Sequence, residues 1–420
     1  MGSTKVGIKG SKFYINGKLT YSDIEGSNPG AHGLLMNARF IQGVFDDKGN
    51  RGRYARFGYE VFDPDANTDR LIEALPEWYR YGLRAFTVGF QGGGPCFTIN
   101  NHTINNNPYS EDGTSLDGEY VRRMEKLIIA ADNIGMVVIV SFFYGAQTRW
   151  LKDDNSVRNA VKTASNFLRD RGFTNVIIEI ANEHNINEFK IHPILYNPEG
   201  IVSLIDVARR ESGGMPVGCS GGGGYSNRDI SMASDVVLIH GNGCSRQHYY
   251  NLIMRVREWE PDKPIVCNED SQAVGQLEVA FRTKTSWGYY NNITKQEPPA
   301  NWGISAGEDT YFAYRMAEGI GIKMTNIHEG DRYCLQGFES NFTFEGKRWI
   351  RLASLYPEEI NFVDFFRNGD LIYTAYDEPY TVNYISNWLQ GPCLIKEEDR
   401  EWKALIHLRN GRIIEKTFRK

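Results

Sequence analysis

Histidine is scarce in this chain of 420 residues: eight in all, with no H-x-H pair. Metal-dependent amidohydrolase barrels hold their ion with such pairs, so neither a bound metal nor any other cofactor is expected. Cysteine is scarcer still. Cys96, Cys219, Cys244, Cys267, Cys334 and Cys393 form no C-x-x-C pair, which argues against a zinc site and implies no disulfide framework. No apolar run approaches the roughly 20 residues that a membrane span needs. Positive charge is not in excess: 47 Lys+Arg stand against 52 Asp+Glu, a net charge of −5. That balance argues against nucleic acid or an anionic membrane as the main partner. The opening MGSTKVGIKG has no apolar centre of an export signal. A secreted, periplasmic or cell-surface protein with its export signal removed is expected, with a cytoplasmic one as the alternative. The glycine run at 213–224, GGMPVGCSGGGG, is not followed by Gly-Lys-Ser/Thr, so it is no phosphate loop and is expected to let the chain or a substrate approach closely.

Aromatic residues are plentiful: 22 Phe, 23 Tyr and 8 Trp, 13% of the chain. They either fill an ordinary core or present flat faces to amphipathic ligands such as sugars. The length suits one large domain and one smaller one. Residues 12–20, KFYINGKLT, read as a hairpin turning at Asn16-Gly17. From there an apolar β-rich run, a polar loop and an amphipathic helix recur. The runs lie at 38–45, 83–90, 136–143, 175–182, 215–220, 235–241, 263–269 and 286–290. Helices are expected at 68–81, 117–133, 154–170, 198–211, 247–258, 273–285 and 306–318, with a truncated one at 228–233. Eight continuous apolar runs alternating with helices predict an α/β fold with parallel strands buried on both faces. A (β/α)8 TIM barrel fits eight units over this length. The rival, a doubly wound open sheet, would carry a glycine-rich phosphate turn after its first strand, and there is none. Beyond about residue 325, short alternating strands take over, with turns at Asn368-Gly369, Asp377-Glu378-Pro379 and Asn410-Gly411. The expected partition is therefore a β-hairpin segment at 1–30 packing on the barrel, the barrel at 31–325 and an all-β sandwich at 326–420.

In such a barrel the chemistry sits at the C-terminal ends of the strands. The fourth run ends in Ala181-Asn182-Glu183-His184 and the seventh in Cys267-Asn268-Glu269-Asp270. One carboxylate at a strand end can be a loop cap. Two on opposite sides of one mouth can face each other across a substrate, which is what cleaving a glycosidic bond requires. The segments IEIANEH (178–184) and PIVCNED (264–270) resemble the acid/base and nucleophile strands of the clan A glycoside hydrolases, which include the family 5 cellulase and mannanase group. The segment 363–384 resembles bacterial immunoglobulin-like modules.

The resemblance implies a carbohydrate substrate cleaved with retention. Glu183 would be the general acid/base with a raised pKa, Glu269 the ionised nucleophile and Asn182 a partner of the sugar 2-hydroxyl, with the carboxylates about 5–5.5 Å apart. Arg39 would contact the nucleophile. His240 matches the clan's His-x-Tyr pattern, but Asn242 stands where the tyrosine belongs, and Tyr144 is a candidate to substitute for it. Trp287 matches the clan's sugar-stacking tryptophan. Gln91, Tyr144, Gln147 and Trp302 fall in rim loops. Asp270 either tunes the nucleophile or caps the next helix. Arg149 and Arg246 are candidates to read a uronic acid carboxylate. Inserts at about 46–66, 91–116 and 291–305 are expected to wall off one end of a cleft. A non-catalytic carbohydrate-binding protein on a degenerate barrel and a metal-using barrel enzyme are the alternatives.

Overall fold

The computed structural model describes residues 2–55 and 61–420. Three short antiparallel strands come first: β1 (Val6–Lys9), β2 (Lys12–Ile15) and β3 (Lys18–Leu19). Asn16 and Gly17 both take positive φ, 53° and 77°, as the Asn-Gly hairpin turn requires. Val6 and Phe13 of this sheet pack against Leu35, Ala85, Val137, Ile177, Val236 and Val266, so the small sheet plugs the N-terminal end of the strands that follow.

Those strands alternate with helices: β4 (Asn37–Arg39), α1 (Pro64–Arg80), β5 (Ala85–Gly89), α2 (Gly118–Asn133), β6 (Val137–Tyr144), α3 (Asp154–Asp170), β7 (Val176–Asn182), α4 (Pro193–Tyr196), α5 (Pro198–Glu211), β8 (Val217–Gly218), α6 (Arg228–Ala233), β9 (Val237–His240), α7 (Arg246–Trp259), β10 (Ile265–Glu269), α8 (Gly275–Thr283), β11 (Gly288–Tyr289) and α9 (Glu308–Ile320). Every expected run and helix appears. Helix α1 begins earlier than its periodicity suggests, because the Asp63 side chain accepts the amides of Asp65 and Ala66 and Pro64 fits the first helical position. The strands are buried along almost their whole length, which accounts for their unbroken apolar sequences.

Six of these strands form one parallel sheet in the order β11-β4-β5-β6-β7-β8, and β9 and β10 form a parallel pair. The pair joins β11 through Cys267 N–H to the Ser286 carbonyl (2.9 Å) and Ser286 N–H to the Ile265 carbonyl (3.1 Å). On its other side the pairing stays open. Among the described residues, Asp235 N–H to the Val217 carbonyl (2.8 Å) joins the start of β9 to β8, and Gly224 N–H to the His240 carbonyl (3.0 Å) spans the loop beyond. The expected barrel therefore has all its strands and helices, but its ladder does not run continuously through the seam between β8 and β9.

The C-terminal region is antiparallel: β12 (Tyr333–Gln336), β13 (Thr343–Phe344), β14 (Lys347–Arg348), β15 (Arg351–Ser354), β16 (Ile360–Arg367), β17 (Asp370–Ala375), β18 (Tyr380–Thr381), β19 (Cys393–Leu394), β20 (Glu401–Leu408) and β21 (Ile413–Arg419). Sheets β12-β15-β18 and β17-β16-β20-β21 share one core, in which Tyr333, Leu352 and Tyr380 meet Val363, Phe365, Ala404 and Ile406. Strand β20 alternates buried and half-buried positions with period two, the pattern of strands with one covered face. The region docks on the α/β region through Arg351, whose Nη1 lies 2.9 and 2.7 Å from the two carboxylate oxygens of Glu308 in a fully buried pair. Asn291 also donates to Glu308 (2.9 Å), which offsets part of the cost of burying its charge. Among the described residues no helix is long and apolar enough to cross a membrane.

Candidate active site

The C-terminal ends of β4, β7, β9 and β10 converge. Arg39, the last residue of β4, is buried and donates through Nε to Glu269 Oε2 (2.8 Å) and through Nη2 to Asn182 Oδ1 (2.7 Å). His240, the last residue of β9, places Nδ1 3.2 Å from Glu183 Oε1 and 3.7 Å from Glu269 Oε2. Asn242 donates to Glu269 Oε1 (3.0 Å) and to Glu183 Oε1 (3.4 Å). One oxygen of each glutamate and a ring nitrogen of His240 all lie within 4.8 Å of one another. The two carboxylates keep a window to solvent, with side chains 20% and 10% exposed for Glu183 and Glu269.

The local backbone aims these groups. Glu183 has φ of 58°, a left-handed conformation that a glutamate adopts only when its surroundings hold it. Its N–H is anchored on Ser220 Oγ (3.1 Å), and the next amide, of His184, on the Ser220 carbonyl (3.0 Å). The glycine run after β8 lets the chain press close, as its sequence suggests. A Cβ on Gly223 would lie 1.7 Å from the Asn242 carbonyl oxygen. Asn242 thus occupies the place expected of a tyrosine and supplies an amide donor where a phenol would be. Tyr144 makes no hydrogen bond to either glutamate among the described residues. Its hydroxyl accepts from Asn101 (3.4 Å), and burial and the charges of both glutamates push its pKa up.

The three titrating groups act on each other. Burial and the charges of Glu269 and Glu183 work in opposite directions on His240, and the carboxylates prevail, so its pKa is raised. Glu183 is penalised by burial but held below the usual carboxylate range by the His240 and Asn242 hydrogen bonds and by Arg39. Glu269 is pushed up by burial and by the neighbouring Glu183, against the pull of Arg39 and His240. This departs from the expectation of a raised Glu183: the hydrogen bonds from His240 and Asn242 and the charge of Arg39 outweigh its burial. A cation on the same three residues would have to displace the Arg39 guanidinium and the Asn242 amide, both of which already point at the carboxylate oxygens. The donor set therefore fits a metal poorly.

Other expected site residues lie elsewhere. Trp287 is 0% exposed; its indole N–H goes to Asp270 Oδ2 (2.7 Å) and its ring packs on Tyr289 and Phe312, so it offers no face to a sugar. Asp270 is spent on that bond and does not cap α8. Trp302 is core: its N–H bonds Asn67 of α1 and its ring meets Phe40 edge-on. Gln91 is buried beneath the rim, bonded to Asn107 (2.7 Å) and to the Tyr144 amide (3.2 Å), and Gln147 holds Asn106 N–H (2.9 Å). Both fix loops rather than line the recess. Arg149 is engaged with the carbonyls of Ala146 and Ile104. Of the expected inserts, 56–60 lies outside the described residues. The other two are tied together by Glu297, whose Oε1 accepts the amides of Cys96 and Phe97 (2.7 Å each).

Sequence reasoning missed Tyr290, whose ring lies 5.7 Å from the Arg39 guanidinium and whose buried hydroxyl has no partner among the described residues. It stands one residue past β11, and the SWGYY run does not say which of its aromatics faces the mouth.

No family model and no curated protein sequence matches the chain. Solved structures do resemble it. They include a family 2 glycosyl hydrolase from Bacteroides cellulosilyticus (13% identity, TM-score 0.42, covering 99% of this chain and 48% of that one). Others are a β-glucuronidase from Parabacteroides merdae (12%, 0.44, 99% and 50%) and a β-1,4-D-mannanase from Cryptopygus antarcticus (12%, 0.49, 78% and 97%). The chain spans about half the length of the first two. The functional reading that follows rests on the site itself.

Proposed function

We propose that the chain is a retaining glycoside hydrolase, related to clan A, on a (β/α)8 barrel open at one seam and backed by an immunoglobulin-like sandwich. The observation that carries this reading is the facing pair Glu183 and Glu269 at the ends of β7 and β10. Three neighbours bind the pair, and only one of them, His240, can surrender a proton near neutral pH. Double displacement needs carboxyl groups about 5–5.5 Å apart with no water between nucleophile and sugar, and an oxygen of each glutamate lying within 4.8 Å of one on the other supports that reading.

In the first step a Glu269 oxygen attacks the anomeric carbon. The bond to the leaving oxygen breaks, and that oxygen takes a proton from Glu183, which draws it from the hydrogen bond with His240. In the second step Glu183 accepts a proton from water, whose oxygen displaces Glu269 from the anomeric carbon, and passes it back to His240, so that all three groups return to their starting state. Arg39 steadies Glu269 as its charge is spent and restored, and Asn242 bridges the pair throughout. Half-buried Tyr144 supplies aromatic wall in place of Trp287.

The test is turnover across a panel of aryl glycosides, followed by proton NMR of the first product from the substrate that is cleaved. Net retention is expected. An inverted first product, or no turnover on any glycan or aryl glycoside, removes the reading.

A further inference from the structure

We propose that Asn387, in the C-terminal β region, is a positioning residue for the carboxylate pair, acting through the turn that carries Asn242. The proposal rests on the glycosidase reading for its kinetic consequence, while the clasp itself can be read independently of turnover.

Asn387 lies between β18 and β19 and is 4% exposed. Among the described residues its side chain bonds only to the α/β region. Oδ1 accepts the Gly243 N–H (2.5 Å), and Nδ2 faces the carbonyls of Gly241 (3.3 Å) and Cys244 (3.2 Å) and the Oε1 of Gln276 (2.9 Å). Gln276 of α8 donates to the same two carbonyls, at 3.4 and 3.2 Å. Two side-chain amides, one from each region, therefore hold both ends and the middle of the turn 241–244.

The clasped turn has Asn242 inside it, and Asn242 is the group that touches both glutamates. Its first residue is tied to the nucleophile strand as well, through Gly241 N–H to the Glu269 carbonyl (2.9 Å). Gly243 is held at φ of 78°, and Gly223 packs against the Asn242 carbonyl from the other side. The turn is thus pressed between the glycine run and Asn387. Docking of the two regions has its own buried contacts in Arg351–Glu308 and in Tyr311 against Ala353 and Leu355. Three polar contacts from one side chain to one short turn, with a fourth to the Gln276 that holds the same turn, exceed what adhesion requires. Displacing a group in the site by about 1 Å from a distance can cost about 100-fold in rate.

The experiment compares the parent chain with Asn387→Ala and Asn387→Asp, using hydrogen exchange of the peptide containing 241–244, melting temperature, and kcat and KM against pH on a cleaved aryl glycoside. Asn387→Ala should exchange faster in that peptide and lose about 10- to 100-fold in kcat with little change in KM. Its pH profile should move, because Glu183 is held down partly by Asn242. Asn387→Asp keeps the acceptor for Gly243 but loses the donor, so it should recover activity as the pH falls and its carboxyl regains an O–H. Unchanged exchange overturns the clasp. Faster exchange with unaltered rate and pH profile overturns the positioning role, as does a rate loss matched by the unfolded fraction with the profile unmoved. Should the parent cleave no glycoside, the glycosidase reading fails separately. The clasp then stands or falls on exchange and on the titration of Glu183 and Glu269 followed by NMR of carbon-13-labelled glutamate.

Discussion

The ends of β7 and β10 present the same side chain to the same recess and differ in what stands behind it. Glu183 is held by the region it belongs to: Ser220 anchors its amide, the glycine run flanks it, and a left-handed backbone turns it inward. Glu269 continues a regular strand, meets the permanent cation Arg39, and is followed by α8, which the C-terminal region grips. Burial alone raises the pKa of any carboxyl, so the difference between the two comes from partners. On the proposed reading, a titratable histidine on one and a fixed guanidinium on the other would set two identical residues apart as proton carrier and nucleophile.

The largest way to break the contrast is to remove the charge from each end in turn. Glu269→Gln should cost about 10⁴-fold or more in kcat on every substrate, with folding unchanged by circular dichroism. Glu183→Gln should cost about 10²- to 10⁴-fold on an unactivated glycoside. On a substrate with a good leaving group its first step should survive, and azide should restore the second, measured as formation of a glycosyl azide. Equal losses for both variants on activated substrates would erase the distinction.

The pH dependence sharpens it. Glu269 must be ionised to attack, and its pKa is raised, so activity should fall on the acid side at a pH above the ordinary glutamate value of about 4.3. His240 must hold its proton, and its pKa is also raised, so the alkaline fall should lie above about 6.5. Arg39→Met removes a cation that favours ionised Glu269 and should shift the acid limb of kcat/KM to higher pH. His240→Gln should abolish the alkaline limb near neutrality, since the group that titrates there is gone.

The smallest effect expected is on stability, behind the β10 end. Half-buried Glu378 accepts the Gly275 N–H at the start of α8 (3.1 Å), and its pKa is raised to about 7, chiefly by burial. Its protonated form is favoured by the fold. Stability from this group is therefore full at acid pH, declines as pH rises from the unfolded value to about 7, and stays lost above. Glu378→Gln keeps the acceptor without the charge. It should raise stability at pH 8 by about 1–2 kcal/mol and change little at pH 4, measured by urea denaturation.

Much of the α/β region was legible because each strand is buried on both faces and each helix on one, so hydrophobic period and burial coincide. The strand ends were legible for the same reason: an apolar run that stops in Asn-Glu marks where the chain leaves the core. What sequence could not separate was an aromatic packed among other rings from one beside the charged groups of the site. Trp287 and Tyr290 stand three residues apart, and only packing shows that Asp270 draws the tryptophan inward while the tyrosine lies by Arg39. The Glu183 pKa was misjudged because its direction depends on His240 Nδ1 arriving at 3.2 Å, a distance that spacing along the chain does not set. Asn387 left no trace, since its partners are three backbone groups more than 140 residues away and the Gln276 side chain 111 residues away.

Whether Glu269, and not its neighbour, bonds to sugar is tested directly by a 2-fluoro glycosyl fluoride of the sugar the protein cleaves, followed by peptide mass spectrometry. One stable glycosyl ester is expected, on Glu269, lost in Glu269→Gln. An ester on Asp270 or Glu183, or inactivation without any covalent label, would contradict that assignment.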